Sequence, residues 1–168
     1  MDTFFTDAFE QLGPEGREAY HRAVFMEMDT LEAAALRQRY YATRLRQMGR
    51  NVQIGRGVRL INPQAISLGD GVSIDDGCTL IARSERGITL GDGARLKCEV
   101  YLDTEGSEGY IEIGKRVYIG TRCCIHGHRG LEIGDDTLLA QNITITPYAH
   151  KFDDPARPII AQGGHTRK

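Results

Sequence analysis

The sequence has no tryptophan, few aromatic residues and almost no net charge, and the low net charge argues against two classes of partner. A formal charge of −2, from 21 basic and 23 acidic residues, creates no field that would attract nucleic acid or an anionic membrane. No apolar run approaches the length of a membrane span, and the first residues form no basic leader. We therefore expect a cytoplasmic protein whose partners include neither nucleic acid nor membrane.

The four cysteines show no CxxC spacing, so they do not predict a zinc site. Cys78 and Cys123 each follow an aliphatic residue of the repeat described below by four positions, where a small apolar side chain packs well. We interpret both as packing residues. The sequence therefore predicts free thiols in a reducing compartment, and no required metal.

Glycine, in contrast, is plentiful, and it recurs in a fixed pattern: an aliphatic residue, any residue, Ile or Leu, glycine, and another Ile or Leu five positions after the glycine. Five copies of the pattern begin at Val52, Ile66, Ile88, Ile111 and Leu131. The last four copies carry a further aliphatic residue six positions later, at Leu80, Leu102, Ile125 and Ile145. A period of six fits neither an α-helix nor a single strand, and it is typical of a parallel β-helix.

Each coil of such a β-helix needs three short strands joined by tight corners, and adjacent coils stack about 4.8 Å apart. We predict about five coils over residues 51–145, with the extra residues of the longer copies in loops at 83–87 and 104–109. Residues 146–168 break the pattern, and we assign them to a loop of active-site type followed by a polar tail.

Residues 1–50 have the apolar spacing of helices, and we predict an α-helical region that caps the first coil. Its helices are expected over residues 2–12, 14–28 and 29–48, with Asp29 as the N-cap of the third and Gly49 as its end. The third helix carries a row of basic side chains on one face: Arg37, Arg39, Arg44 and Arg46. We favour a solvated face over an anion-binding site for this row.

The repeat resembles that of the hexapeptide-repeat acyltransferases over roughly residues 30–165, although a repeat is more specific for a fold than for an activity. Asn142, followed eight residues later by His150 and then by an extended loop, is similar to the branch that acetylates maltose, galactosides and other sugars. The resemblance implies a mainly β, left-handed parallel β-helix that assembles as a homotrimer. It also implies acetyl-CoA, or another acyl-CoA, as co-substrate.

The same resemblance implies that His150 is the general base, because a neutral imidazole can take the proton of an acceptor hydroxyl or amine during attack on a thioester. Transfer would be direct, with no covalent intermediate on Cys123 or Cys124. The repeat would then lift Asn142 and His150 to one corner at its end. The alternative is an ordinary loop histidine beside a proline-containing tail.

Arg122, His126 and His128 precede this segment by one coil, where the resembled enzymes line their acceptor pocket, and we expect them to bind substrate together with Asn142 and Tyr148. Members of that family often have Asn and Asp at these places. The basic and imidazole side chains found here favour an acidic or nucleotide-linked sugar over a simple galactoside. A solvated outer face of the prism is the alternative interpretation.

Two other functions stay open at this point. Ile125-His126 is similar to the first zinc ligand of γ-class carbonic anhydrases, but Gln141 and Thr146 would occupy the other ligand positions, and neither replaces imidazole on zinc. The sequence also lacks the tryptophan-containing coil and the closing segment with which the resembled enzymes complete their coenzyme site. We therefore expect either a shortened form of a longer enzyme or a non-catalytic trimeric scaffold as the alternative to an active acyltransferase.

Overall fold

A computed structural model of the protein describes residues 11–166, which form a three-sided prism of short parallel strands preceded by two helices. Helix α1 spans Pro14–Glu27 and begins with proline in its first turn, as the sequence predicts. The helix expected over residues 2–12 lies almost entirely outside the described residues. No helix within residues 11–166 is both long enough and apolar enough to cross a membrane.

Helix α2 spans Leu31–Ala42 and is shorter than predicted. Its N-cap is Thr30 rather than Asp29, since the Thr30 hydroxyl accepts a hydrogen bond of 3.1 Å from the amide of Ala33. The prediction that this helix continues to Met48 is wrong. The chain leaves the helix after Ala42, and residues 47–48 form the first strand of the prism.

Arg37 attaches both helices to the prism, and its side chain is not solvated as the arginine row suggested. The residue is 3% exposed, and its guanidinium donates to the carbonyls of Phe25 and Met28 at 2.8 Å and of Ile54 at 3.0 Å. Phe25 lies in the last turn of α1, whose carbonyls have no partner within the helix. A charge from α2 therefore satisfies the end of α1 and the edge of the first coil.

The prism has three five-stranded parallel sheets, named A, B and C here. The strands of sheet A are Gln47–Met48 (β1), Ile66–Leu68 (β4), Gly87–Leu90 (β7), Tyr110–Ile113 (β10) and Leu131–Ile133 (β13). Those of sheet B are Gln53–Ile54 (β2), Ser73–Ile74 (β5), Arg95–Leu96 (β8), Tyr118–Ile119 (β11) and Leu138–Leu139 (β14). Those of sheet C are Arg59–Ile61 (β3), Thr79–Ile81 (β6), Tyr101–Asp103 (β9), Cys124–His126 (β12) and Thr144–Ile145 (β15).

Successive strands of the chain pass from A to B to C, so the prism is a parallel β-helix, and it matches the left-handed hexapeptide-repeat fold that the sequence predicts. The aliphatic residues of the repeat stack in register inside it; one column of sheet C consists of Leu60, Leu80, Leu102, Ile125 and Ile145. Cys78 and Cys123 are fully buried in the same core. The inward-facing residues of the last coil are only partly buried because no further coil packs on them within the described residues.

Glycine meets two different requirements at the corners of the prism. In the first four copies, the glycine after the inner aliphatic residue is required by close approach: a Cβ on Gly55, for example, would lie 2.7 Å from the amide nitrogen of Asp76 on the next coil. The A–B and B–C corners require a left-handed residue instead, with φ between 55° and 70° at each of them. Glycine fills some of these positions, and non-glycine residues, including Arg122 and Asn142, fill the others.

After β15 the chain leaves the prism and forms an antiparallel hairpin of Tyr148–His150 (β16) and Gly164–Thr166 (β17). A short 3₁₀ turn, Ile159–Gln162, precedes the second strand, and another, Pro63–Ala65, interrupts the first coil. The hairpin fixes His150 opposite Gly164 at the end of the prism.

Candidate functional site

The corner between sheets C and A, called the C–A corner below, carries the longest connections of the prism. Residues 82–86, 104–109 and 127–130 join its strands, and residues 146–147 lead from β15 into the hairpin. The loops stack on one another through backbone hydrogen bonds, from the Thr104 amide to the Ile81 carbonyl at 3.1 Å and from the Gly127 amide to the Asp103 carbonyl at 2.8 Å. Both predicted insertion loops lie here.

Five aromatic and imidazole rings form a continuous row along the C–A corner: Tyr101, His126, His128, Tyr148 and His150. Their successive centroids are 5.9, 6.0, 4.9 and 5.2 Å apart. His128 stacks on Tyr148 with the ring planes 30° apart, and His150 meets the edge of Tyr148 at 87°. Residues from two coils and the hairpin therefore meet in one row of rings.

His126 is held by polar contacts on both ring nitrogens. Its Nδ1 lies 3.0 Å from a carboxylate oxygen of Glu105, in the 104–109 loop, and its Nε2 lies 3.2 Å from the sulfur of Cys124. Burial raises the pKa of the Cys124 thiol, and the negative charges of Asp103 and Glu105 raise it further. The thiol therefore keeps its proton at neutral pH.

Asp103 is the buried anion beneath this corner, with its side chain 2% exposed. It accepts hydrogen bonds from Nε and Nη2 of Arg83 at 2.9 and 3.0 Å, from the Tyr101 hydroxyl at 2.9 Å and from the Glu105 amide at 2.9 Å. Burial acts to raise the pKa of Asp103, but these hydrogen bonds outweigh it and the pKa is lowered. In turn, burial and the Asp103 carboxylate raise the pKa of Tyr101.

A cavity of about 230 Å³ opens beside the row of rings, and Glu105, His128, Arg129 and Tyr148 are among the residues that line it. A larger cavity, of about 780 Å³, lies between the helices and the first coil and contains none of the predicted site residues. We place the candidate site at the smaller cavity because it adjoins the imidazoles. Within residues 11–166, no group of three or more His, Cys, Asp or Glu side chains is arranged to hold a metal ion.

The structure divides the predicted site residues into two groups. His126, His128, Tyr148 and His150 meet at the C–A corner. Arg122 and Asn142 lie at the B–C corner, where both have a left-handed backbone, and the Asn142 amide donates to the carbonyl of Thr121. The expectation that Asn142 and His150 share one corner is therefore wrong, since a strand of sheet C separates the two corners.

Sequence reasoning missed three residues of the site: Asp103, Glu105 and Cys124. A signal for the first was present, because Asp103 follows the core residue Leu102 and takes the same register position as the buried Ile81. Glu105 belongs to an insertion loop, whose packing the repeat pattern does not determine. Cys124 was set aside because direct transfer needs no nucleophile on the protein.

The comparisons with known proteins agree with this architecture. Residues 71–104 and 110–147 match the family described as the hexapeptide repeat of succinyl-transferase. No curated protein matches the sequence. Among solved structures, the hexapeptide-repeat-containing acetyltransferase VCA0836 from Vibrio cholerae has a TM-score of 0.57 at 15% identity, over 76% of this chain and 85% of that one.

Two further structures show weaker similarity. The complex of VCA0836 with acetyl coenzyme A has a TM-score of 0.47 at 16% identity, over 74% of this chain and 80% of that one. The other structure is a mutant of AntD, an N-acyltransferase from Bacillus cereus, in complex with dTDP-4-amino-4,6-dideoxyglucose and coenzyme A. Its TM-score is 0.42 at 18% identity, over 66% of this chain and 78% of that one. The repeat matched over residues 71–104 and 110–147, together with the architecture shared with VCA0836, shows that the chain contains hexapeptide repeats folded as a left-handed parallel β-helix. At 15% identity this likeness is one of fold.

Proposed function

We propose that the protein is an acyltransferase that moves an acetyl group, or another acyl group, from the thioester of coenzyme A to a hydroxyl or amine of a sugar. The observation that carries this proposal is the row of rings, which gathers three histidines of the predicted site beside a cavity. The fold supports it, because VCA0836, an acetyltransferase, has the same architecture. A fold alone does not determine an activity, so the site has to supply the chemistry.

His150 is the general base in this proposal. It is exposed, and it meets Tyr148 edge-on with ring centroids 5.2 Å apart, which leaves its imidazole open to an incoming acceptor. Neutral imidazole takes the proton of the hydroxyl or amine as the acceptor attacks the thioester carbon, and it returns that proton to the leaving thiolate. Backbone amides at the corner would stabilise the oxyanion formed during attack.

The acceptor is proposed to bind against His128 and Tyr148, whose stacked rings offer a flat surface to a sugar ring or a nucleotide base. Arg129 at the cavity suits the phosphate groups of a nucleotide-linked sugar, although its guanidinium also lies 3.8 Å from Glu108. Arg122 and Asn142, at the B–C corner, contact the same substrate only if another copy of the chain brings its own B–C corner alongside. We therefore retain a homotrimer as part of the proposal. The cytoplasmic location expected from the sequence is a separate part of it.

The test is a calorimetric titration of the whole chain with acetyl-CoA, followed by turnover with nucleotide-linked sugars. His150→Ala should bind acetyl-CoA as the unmodified protein does but lose about 10² to 10⁴-fold in kcat, the range typical of a general base. The matched control is His165→Ala, on the opposite strand of the same hairpin, which should keep full turnover. Failure to bind acetyl-CoA would contradict the enzymatic proposal and favour a scaffold, whereas unchanged turnover in His150→Ala would exclude His150 as the base.

A further inference from the structure

Cys124, His126 and Glu105 are aligned as a nucleophile, a base and a group that orients the base. The sulfur of Cys124 lies 3.2 Å from Nε2 of His126, and Nδ1 of the same ring lies 3.0 Å from Glu105. This is the arrangement by which proteins activate a hydroxyl or thiol for attack on a carbonyl. It is separate from His150, which stands three rings further along the row.

The contacts of His126 assign its proton. Glu105 is a carboxylate acceptor, so Nδ1 carries the hydrogen and donates it, and the lone pair of Nε2 then points at the sulfur. The thiol holds its own proton at neutral pH because burial and neighbouring carboxylates raise its pKa. Attack by Cys124 therefore requires a base, and His126 is placed to serve as one.

The other cysteines of the core have a different environment. Cys78 and Cys123 are fully buried, and their thiols donate to the backbone carbonyls of Lys97 and Ala140 at 3.0 Å. Burial raises the pKa of Cys78 to about 12. Cys124 instead lies in the outward-facing column of sheet C, in register with Tyr101 and Thr144, and it is only partly buried. An electrophile can reach it from the solvent side.

We propose that Cys124 is a self-acylation site that takes an acyl group from a thioester, with His126 as its base and Glu105 as a positioning residue. His126 takes the thiol proton as the sulfur bonds to the acyl carbon, and the carbon–sulfur bond of the donor then breaks. The departing thiolate receives the proton from His126, so one thioester is exchanged for another and no oxidant or reductant is required. The choice of a thioester as donor rests on the proposed function.

The experiment uses the whole protein and a small donor, the acetyl thioester of N-acetylcysteamine, which does not require a coenzyme A site. Peptide mass spectrometry follows acetylation at each cysteine over time. We expect Cys124 to be acetylated faster than Cys98, the other partly buried free cysteine. His126→Gln should slow the reaction at Cys124 by about 10² to 10⁴-fold. His165→Gln, on strand β17 of the hairpin and outside the Cys124–His126–Glu105 contacts, should leave the rate unchanged.

Glu105 is tested against Glu108, a carboxylate in the same loop that pairs with Arg129. Glu105→Gln should slow acetylation of Cys124, Glu105→Asp should restore part of the rate, and Glu108→Gln should have no effect. The rate at Cys98 and the thermal unfolding midpoint report whether a variant is still folded. Equal rates at Cys124 and Cys98, or a rate at Cys124 that His126→Gln does not change in a folded protein, would overturn the inference.

The two proposals fail in different ways. If Cys124 is not acetylated while His150-dependent turnover is intact, the self-acylation site is wrong and the acyltransferase proposal stands. If the protein neither binds acetyl-CoA nor turns over a sugar, yet Cys124 is acetylated by the small thioester with the expected dependence on His126, the reactive cysteine stands without the proposed enzyme.

Discussion

Replacing Asp103 with asparagine tests the electrostatic core of the C–A corner. The side chain is 2% exposed and accepts four hydrogen bonds, two of them from the fork of Arg83. Asparagine keeps the shape but removes the charge, and its NH₂ group would face donors where a carboxylate oxygen now accepts. The variant therefore leaves donors around a buried side chain without their partner.

The expected cost follows from these contacts. Breaking a buried ion pair by removing one partner costs about 3–5 kcal/mol. The lower end applies here because the side chain of Arg83 is 50% exposed and can be rehydrated. A loss of about 3 kcal/mol in the free energy of unfolding corresponds to a fall of about 6–12 °C in Tm for a chain of this size.

The matched control is Asp70→Asn. Asp70 accepts from the backbone amide, Nε and Nη2 of Arg50 at 2.8, 3.0 and 2.6 Å, but the two side chains are 87% and 44% exposed. Exposed ion pairs contribute little, so its Tm should be nearly unchanged. Circular dichroism during thermal and urea unfolding measures both variants. Equal shifts in the two, or a Tm for Asp103→Asn equal to that of the unmodified protein, would refute the reasoning.

Acid provides a second check on the same residue. The pKa of Asp103 is lowered in the folded state, below the value of about 3.9 for an aspartate in an unfolded chain. The stability that its ionisation contributes is present above that unfolded value, and it is lost as the pH falls through the lower, folded value. The difference in unfolding free energy between the unmodified protein and Asp103→Asn should therefore narrow below about pH 4. A difference that widens in acid would contradict the assigned direction.

The other predictions concern the fold. Gly87→Ala should lower the free energy of unfolding by more than about 3 kcal/mol, because the added Cβ would lie 1.8 Å from the carbonyl oxygen of Ala65 at a φ of +64°. Gly71→Ala, at a φ of +66° with open space around the new Cβ, should lower it by only about 1–2 kcal/mol. Arg37→Met should lower the free energy of unfolding by about 3 kcal/mol, since three backbone carbonyls lose their donor. Arg39→Met, on the exposed surface, should change it by no more than about 0.5 kcal/mol. Urea unfolding measures both pairs, and equal losses within either pair would contradict the packing described here.

The repeat made the fold predictable because its cause is local and recurs. Every inner aliphatic residue packs on its equivalent one coil away, so one rule of spacing applies along the whole prism. The same rule failed at the start of the prism. Leu45 and Met48 fit the apolar spacing of a continuing helix and equally the inside of a first coil, and packing against the second coil decided for the coil. Propensity alone does not distinguish the two.

The site was predictable where the chain itself brings residues together. His126 and His128 are neighbours in sequence, and Tyr148 and His150 follow one coil later, so stacking of coils makes them one row. Asn142 was misplaced because its distance from His150 was judged along the chain, while the fold turns a corner between them.

The sequence by itself determined the β-helix, the inner packing of two cysteines and the segments that meet at its end, since these depend on spacing along the chain. Only the tertiary structure decided what touches His126. Glu105 is 21 residues away, in a loop free of the repeat, and Cys124 is two residues away on the same outer face of a strand. A hydrogen bond depends on the position of side-chain atoms to within a fraction of an ångström, and stacking of separate coils, rather than the period of the repeat, sets that position.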